Sequence, residues 1–138
     1  MMPSYETYEM KVRHFQRAFN QPIDAAFDTQ LVALRVELMQ EEFKEFLNEI
    51  VQVQMDLMRG GSVRPDTYQA MVKELADLQY VLSGFAVTFG IPLEMIFNRV
   101  HASNMSKLGF GGKPVYREDG KVLKGVNYKA PDLSDVVP

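Results

Sequence analysis

Apolar residues along this chain recur mostly at helical spacing. Tyr8, Val12, Phe15 and Phe19 predict a first helix over residues 5–19, and "NQP" at 20–22 ends it. Asp28 or Thr29 is placed to cap a long second helix reaching to about Met58, where "RGGSVRPD" (59–66) stops it and turns the chain. Asp66 is the expected cap of a third helix, which should run to about Phe89 and stop at Gly90 and Pro92. A fourth helix is expected over 93–106. The remainder is rich in Gly and Pro, without helical period, and its "REDGKV" predicts a hairpin turn. There are no internal repeats.

The expected fold class is therefore all-α. It is an antiparallel helical bundle of four main helices with an irregular, basic C-terminal tail, forming one domain over 1–138 (helical core 5–106, tail 107–138). Two long helices and a short first one do not enclose a full core, so the bundle is expected to be completed by homo-oligomerisation, as a homodimer or a dimer of dimers.

Some polar residues break this pattern. At 100° per residue with Leu38 as origin, Leu31 and Leu34 fall at about 20° and about 320°, while Glu42, Glu45 and Glu49 fall at about 40°, 340° and 20°. These carboxylates occupy the middle of the apolar stripe, with Glu41 on its shoulder at about 300°. The third helix repeats the arrangement in "KELADLQYVLSGF". Leu78, Val81 and Phe85 lie within about 40° of Glu74, and Asp77 lies on the edge of the stripe. Taken alone, E-x-x-E is most simply a solvated or salt-bridged run. Two such pairs on the apolar stripes of successive helices are a different matter.

Two like unit charges 4 Å apart cost about 4 kcal/mol at an effective dielectric near 20, and burying carboxylates without partners costs more. Such a cluster needs counter-charge. Lys44 and Lys73 each point about 100° away from their stripe, which disfavours them as its source. A divalent cation supplies the charge directly. Oxygen donors without His or Cys select a hard ion, Mg²⁺ with Mn²⁺ as an alternative. The i, i+3 spacing of Glu42–Glu45 and of Glu74–Asp77 lets each pair converge from one helix face.

Composition narrows the function classes. Of 138 residues, 46% are apolar and 24% charged, as in a soluble globular domain. Cysteine is absent, which excludes disulfides and thiolate metal sites and fits a reducing cytoplasm. "MMPSYETYEMKVRHF" has no apolar leader core, so no signal peptide is expected. The longest uncharged stretch, 78–93, is too short and too polar to span a membrane. Net charge is −3, but residues 107–129 carry +4 and the rest −7. An acidic body repels nucleic acid while tolerating a small phosphate ligand bridged by metal. "GFGGK" does not complete a P-loop.

"EEFKE" followed by "ELAD" resembles the E-x-x-E…E-x-x-D signature of the all-α nucleoside triphosphate pyrophosphatases, the MazG-like and phosphoribosyl-ATP pyrophosphohydrolase-like proteins. "VRHFQRAFNQP" looks like that family's opening helix, where His commonly stands at the position of Gln16. "HASNMSK" and "GKPVYREDGKVLKGVNYKAPDL" are similar to the closing segments of one subgroup, with Val126 where Pro is expected. The resemblance implies that Glu42, Glu45, Glu74 and Asp77 bind metal. Glu41 would be a further ligand or the base toward water, so Glu41, Glu42 and Glu45 are the catalytic candidates. It also implies hydrolysis between the α- and β-phosphates of a nucleotide. Asn104 and Lys107 are candidate contacts to phosphate or sugar, and Arg117, Lys121 and Lys124 are candidates to close over the phosphates. Histidine biosynthesis (phosphoribosyl-ATP as substrate) and a non-enzymatic helical dimer module are the alternatives. A di-iron bundle fits poorly, because Glu45 and Asp77 stand where Glu-x-x-His would need histidine.

Overall fold

A computed structural model describes residues 5–138; Met1–Ser4, the start of the stretch read for a leader, lie outside the described residues. The chain forms two compact units, Met1–Ile91 and Pro92–Pro138. The first holds α1 (Tyr8–Ala18), α2 (Thr29–Gly60) and α3 (Pro65–Thr88). The second holds α4 (Leu93–Met105), a 3₁₀ turn (Phe110–Gly112), and the short strands β1 (Val115–Tyr116) and β2 (Val122–Leu123). The all-α class is correct. Among the described residues, no single helix is long and apolar enough to cross a membrane.

Helix boundaries follow their signals. Thr7 caps α1, its hydroxyl accepting from the Met10 amide at 3.1 Å. Asp28 caps α2 by accepting from the Leu31 amide at 3.0 Å, and Gly61 closes that helix in the left-handed conformation at φ 74°. Asp66 is not the cap of α3. The helix starts two residues earlier, capped at Arg64, because Pro65 occupies its first position, where a fixed φ and a missing N–H carry no penalty, and Asp66 sits in the first turn. Asp56, buried near the end of α2, accepts from the Arg64 amide (3.1 Å) and from Arg64 Nε (3.2 Å), pinning the α2–α3 turn.

The thin core of the first unit is partly polar. Val12, Ala86, Val87 and Phe89 are buried, and Phe27 stacks on Phe89 with centroids 4.4 Å apart. In α1 the buried column is Val12 and Gln16, whereas Phe15 and Phe19 stay substantially exposed, their rings in tilted contact with centroids 4.4 Å apart. The helical spacing that groups Phe15 and Phe19 with Val12 does not bury them. Gln16 takes the buried place with its Nε2 donating to the Pro22 carbonyl (2.7 Å) and to Thr88 Oγ1 (3.2 Å), while its Oε1 is buried without a hydrogen-bond partner among the described residues. Asp24, at φ 51°, forms a two-pronged ion pair with Arg13 (2.9 Å each), and its amide donates to the Val87 carbonyl.

The second unit is built on backbone closure. β1 and β2 pair antiparallel, Val115 with Leu123 and Tyr116 with Val122, so "REDGKV" is the hairpin turn its sequence predicts. Gly125 donates to the Lys107 carbonyl at 2.8 Å. Ser103 and Ser106 of the α4 end grip Lys129 through its carbonyl (2.7 Å) and amide (2.9 Å). Arg99 holds Asp135 with two bonds, at 2.6 and 3.0 Å.

Candidate metal centre

α2 and α3 run antiparallel. Asp56 meets Arg64 and Thr67 near the turn, while Arg35, further back along α2, reaches Gly84 of α3. This register lays the carboxylate stretches of the two helices side by side. Oxygens of Glu42, Glu45 and Glu74 lie within 4.8 Å of one another. Glu42 and Glu74 are half-buried and Glu45 is exposed. One oxygen of each half-buried residue, Glu42 Oε2 and Glu74 Oε2, is buried with no hydrogen-bond partner among the described residues. A buried anionic oxygen without a donor is costly. An arrangement holding two of them beside a third carboxylate fits a hard divalent cation.

The electrostatics point the same way. Burial raises the Glu42 pKa above the usual carboxylate value, and the charges of Glu45, Asp77 and Glu74 raise it further. A carboxyl with a raised folded-state pKa binds protons more readily folded than unfolded, so stability is lost as pH climbs from 4.5 through the raised value. In metal-free buffer Glu42→Gln is expected to melt above the parent protein, by a margin that widens from pH 4.5 toward neutrality. Thermal melts across that range check it, and a constant or shrinking margin would contradict the origin given for the shift.

Asp77 lies close enough to raise the Glu42 pKa but is not one of the three clustered groups. Its Oδ2 is held by Lys73 Nζ at 2.7 Å, and the same ammonium stands 3.4 Å from Glu74 Oε1. Lys73 thus supplies counter-charge at the site, contrary to the expectation from its wheel position. Its Cβ does point away from the stripe, but a flexible four-carbon stem carries the ammonium back around the helix. Glu41 is exposed and stands outside the cluster.

The candidate substrate residues all belong to the second unit. Asn104 and Lys107 line one surface hollow of about 390 Å³ with Met105, Leu108, Pro114 and Val122. Arg117 is engaged inside the hairpin turn, Nε donating to Asp119 Oδ1 at 2.9 Å. Lys124 lies over the Tyr128 ring at 4.6 Å, and Lys121 is exposed.

Sequence reasoning missed Arg35. It is only 7% exposed, its Nε lacks a partner among the described residues, and burial lowers its pKa. Its wheel position, about 60° from Leu38, was the available signal.

A family model described as phosphoribosyl-ATP pyrophosphohydrolase matches residues 12–104, which include α2, α3 and Glu41, Glu42, Glu45, Glu74 and Asp77. The chain belongs to that family. It is accordingly a pyrophosphohydrolase. Of 24 matching solved chains, one is a candidate NTP pyrophosphohydrolase from Exiguobacterium sp. 255-15. It is 22% identical over 91% of this chain and 89% of its own, with a TM-score of 0.44. That likeness is too remote to bear on the site. No curated protein matches the chain.

Proposed function

We propose that this protein is a Mg²⁺-dependent nucleoside triphosphate pyrophosphohydrolase that cleaves between the α- and β-phosphates, releasing a nucleoside monophosphate and pyrophosphate. The observation that carries the reading is the group Glu42, Glu45 and Glu74, with two buried oxygens lacking donors, in a chain of a pyrophosphohydrolase family. The all-oxygen donor set suits Mg²⁺ or Mn²⁺. Such an ion supplies neutralisation of the polyphosphate and a water of lowered pKa.

The chain's own residues divide the remaining work. Glu42, Glu45 and Glu74 hold the ion, and Asp77 joins them from the next turn of α3. Glu41, exposed beside Glu42, serves as a further ligand or takes the proton of the attacking water. Asn104 and Lys107 contact phosphate or sugar from their shared hollow, and Lys121 and Lys124 add positive charge. Arg117 can join them only by leaving Asp119. This reading treats residues 1–138 as one functional domain. The family's description favours phosphoribosyl-ATP as a second substrate reading.

A second copy of the chain completes the fold in this proposal. α2 carries a second apolar stripe opposite the carboxylate seam, formed by Val36, Phe43, Leu47, Val51 and Met58, at about 140–220° from Leu38. All five are exposed, Met58 at 87%. Stripes of this kind pack against a partner helix. Light scattering should return at least twice the 15.8 kDa chain mass, and Leu47→Glu should reduce it toward one.

The decisive experiment is turnover of a panel containing ATP, dCTP, dUTP and phosphoribosyl-ATP with Mg²⁺ or Mn²⁺. Monophosphate and pyrophosphate should appear in equal amounts from at least one substrate. Release of orthophosphate alone, or no turnover at all, would overturn the proposal.

A further inference from the structure

Lys73 is the one cation that forms an ion pair with any of the five candidate carboxylates among the described residues. Its ammonium is shared between Asp77 Oδ2 (2.7 Å) and Glu74 Oε1 (3.4 Å), one residue outside the three-carboxylate group and one inside it. The i, i+4 spacing brings Lys73 beside Asp77, but it does not account for the second contact, to Glu74. Neighbours at i, i+1 do not face each other, and a lysine four residues before an acid is the weaker order for a helical pair. The ammonium therefore stands at the edge of the carboxylate group, between Asp77 and Glu74. It is 68% exposed, so it can swing into water at little cost.

We propose that Lys73 is the resident counter-ion of this site: it occupies Asp77 and Glu74 when no divalent ion is bound and must release them when one binds. The inference rests on the metal-site reading above and adds how the site is kept when empty of metal. A divalent ion and an ammonium so placed repel each other and share acceptors, so they compete. Lys73 thereby lowers the affinity for the ion while supporting the metal-free fold. It is a positioning residue, acting on the ligands rather than on substrate.

Two measurements test this without turnover. In calorimetric titration with Mn²⁺ alone, Lys73→Met should bind about three- to tenfold more tightly than the parent, the range expected for losing one exposed pair plus its charge. Lys73→Arg should stay near the parent value. Lys44→Met removes a positive charge from the neighbouring helix without breaking a pair in the cluster, and should move the affinity less than about twofold. In EDTA, Lys73→Met should melt below the parent, and saturating Mn²⁺ should erase that difference. Unchanged or weaker Mn²⁺ binding by Lys73→Met overturns the proposal, as does an equal gain in Lys44→Met, which would mark a general field effect. A parent protein that binds no Mn²⁺ would instead remove the metal site itself, and the proposal with it.

Discussion

Glu45→Gln is expected to lower turnover at least about a thousandfold, a loss of about 4 kcal/mol of transition-state stabilisation, with helical content unchanged. The substitution keeps size and shape and removes one anionic oxygen donor from the group formed with Glu42 and Glu74. Glu45 is exposed, so its side chain does little for packing. Its charge is the largest of the charge effects that raise the Glu42 pKa, after burial itself. Without metal the variant should therefore melt higher than the parent, because crowded negative charge is relieved. Activity falling while metal-free stability rises is the mark of a functional carboxylate. Near-normal turnover in Glu45→Gln would mean the site is wrongly assigned. Circular dichroism melts in EDTA, measured beside kcat in Mg²⁺, give both quantities.

Gly125→Ala should be the most damaging single-methyl change in the second unit. A Cβ there would lie 2.6 Å from the Lys107 carbonyl oxygen, 2.7 Å from the Leu108 carbonyl oxygen and 2.7 Å from Gly109 Cα. All three are backbone atoms, so relief requires the tail to move off the end of α4 and break the Gly125–Lys107 hydrogen bond. If Lys107 and Asn104, which line the adjoining hollow, are the substrate contacts proposed above, KM should rise about tenfold or more while the helices of the first unit keep their melting behaviour. Hydrogen exchange should show lost protection at Gly125 and Tyr128, whose amides are bonded in this segment. Unaltered KM together with lost protection would show that the tail has no part in substrate binding.

Much of this arrangement is legible in the residues. Helix existence and most ends follow from Asp28, Gly61 and the Gly-Gly and Pro signals, since caps and breakers act within a turn of themselves. The meeting of Glu42 and Glu45 with Glu74 was legible too, because polar groups on an apolar stripe must face whatever covers it. What was not legible depends on side-chain reach and on buried alternatives to apolar packing. A wheel angle describes Cβ and says nothing of where an ammonium four carbons away settles, hence Lys73. Nor does it foresee that Gln16 is buried while Phe15 is not, because that depends on the Pro22 carbonyl and Thr88 being placed to receive an amide.

Gly84 has a consequence for the distances at the carboxylates. Where Arg35 of α2 and Gln16 of α1 come closest to α3, a methyl on residue 84 would stand 3.3 Å from Gln16 Oε1 and 3.4 Å from Arg35 Nη1. Three rods are drawn together at that point. Along α3, Glu74 stands ten residues earlier, about 15 Å away at 1.5 Å per residue. Helices are stiff over that length, so bulk added at residue 84 should be felt as a changed spacing among Glu42, Glu45 and Glu74.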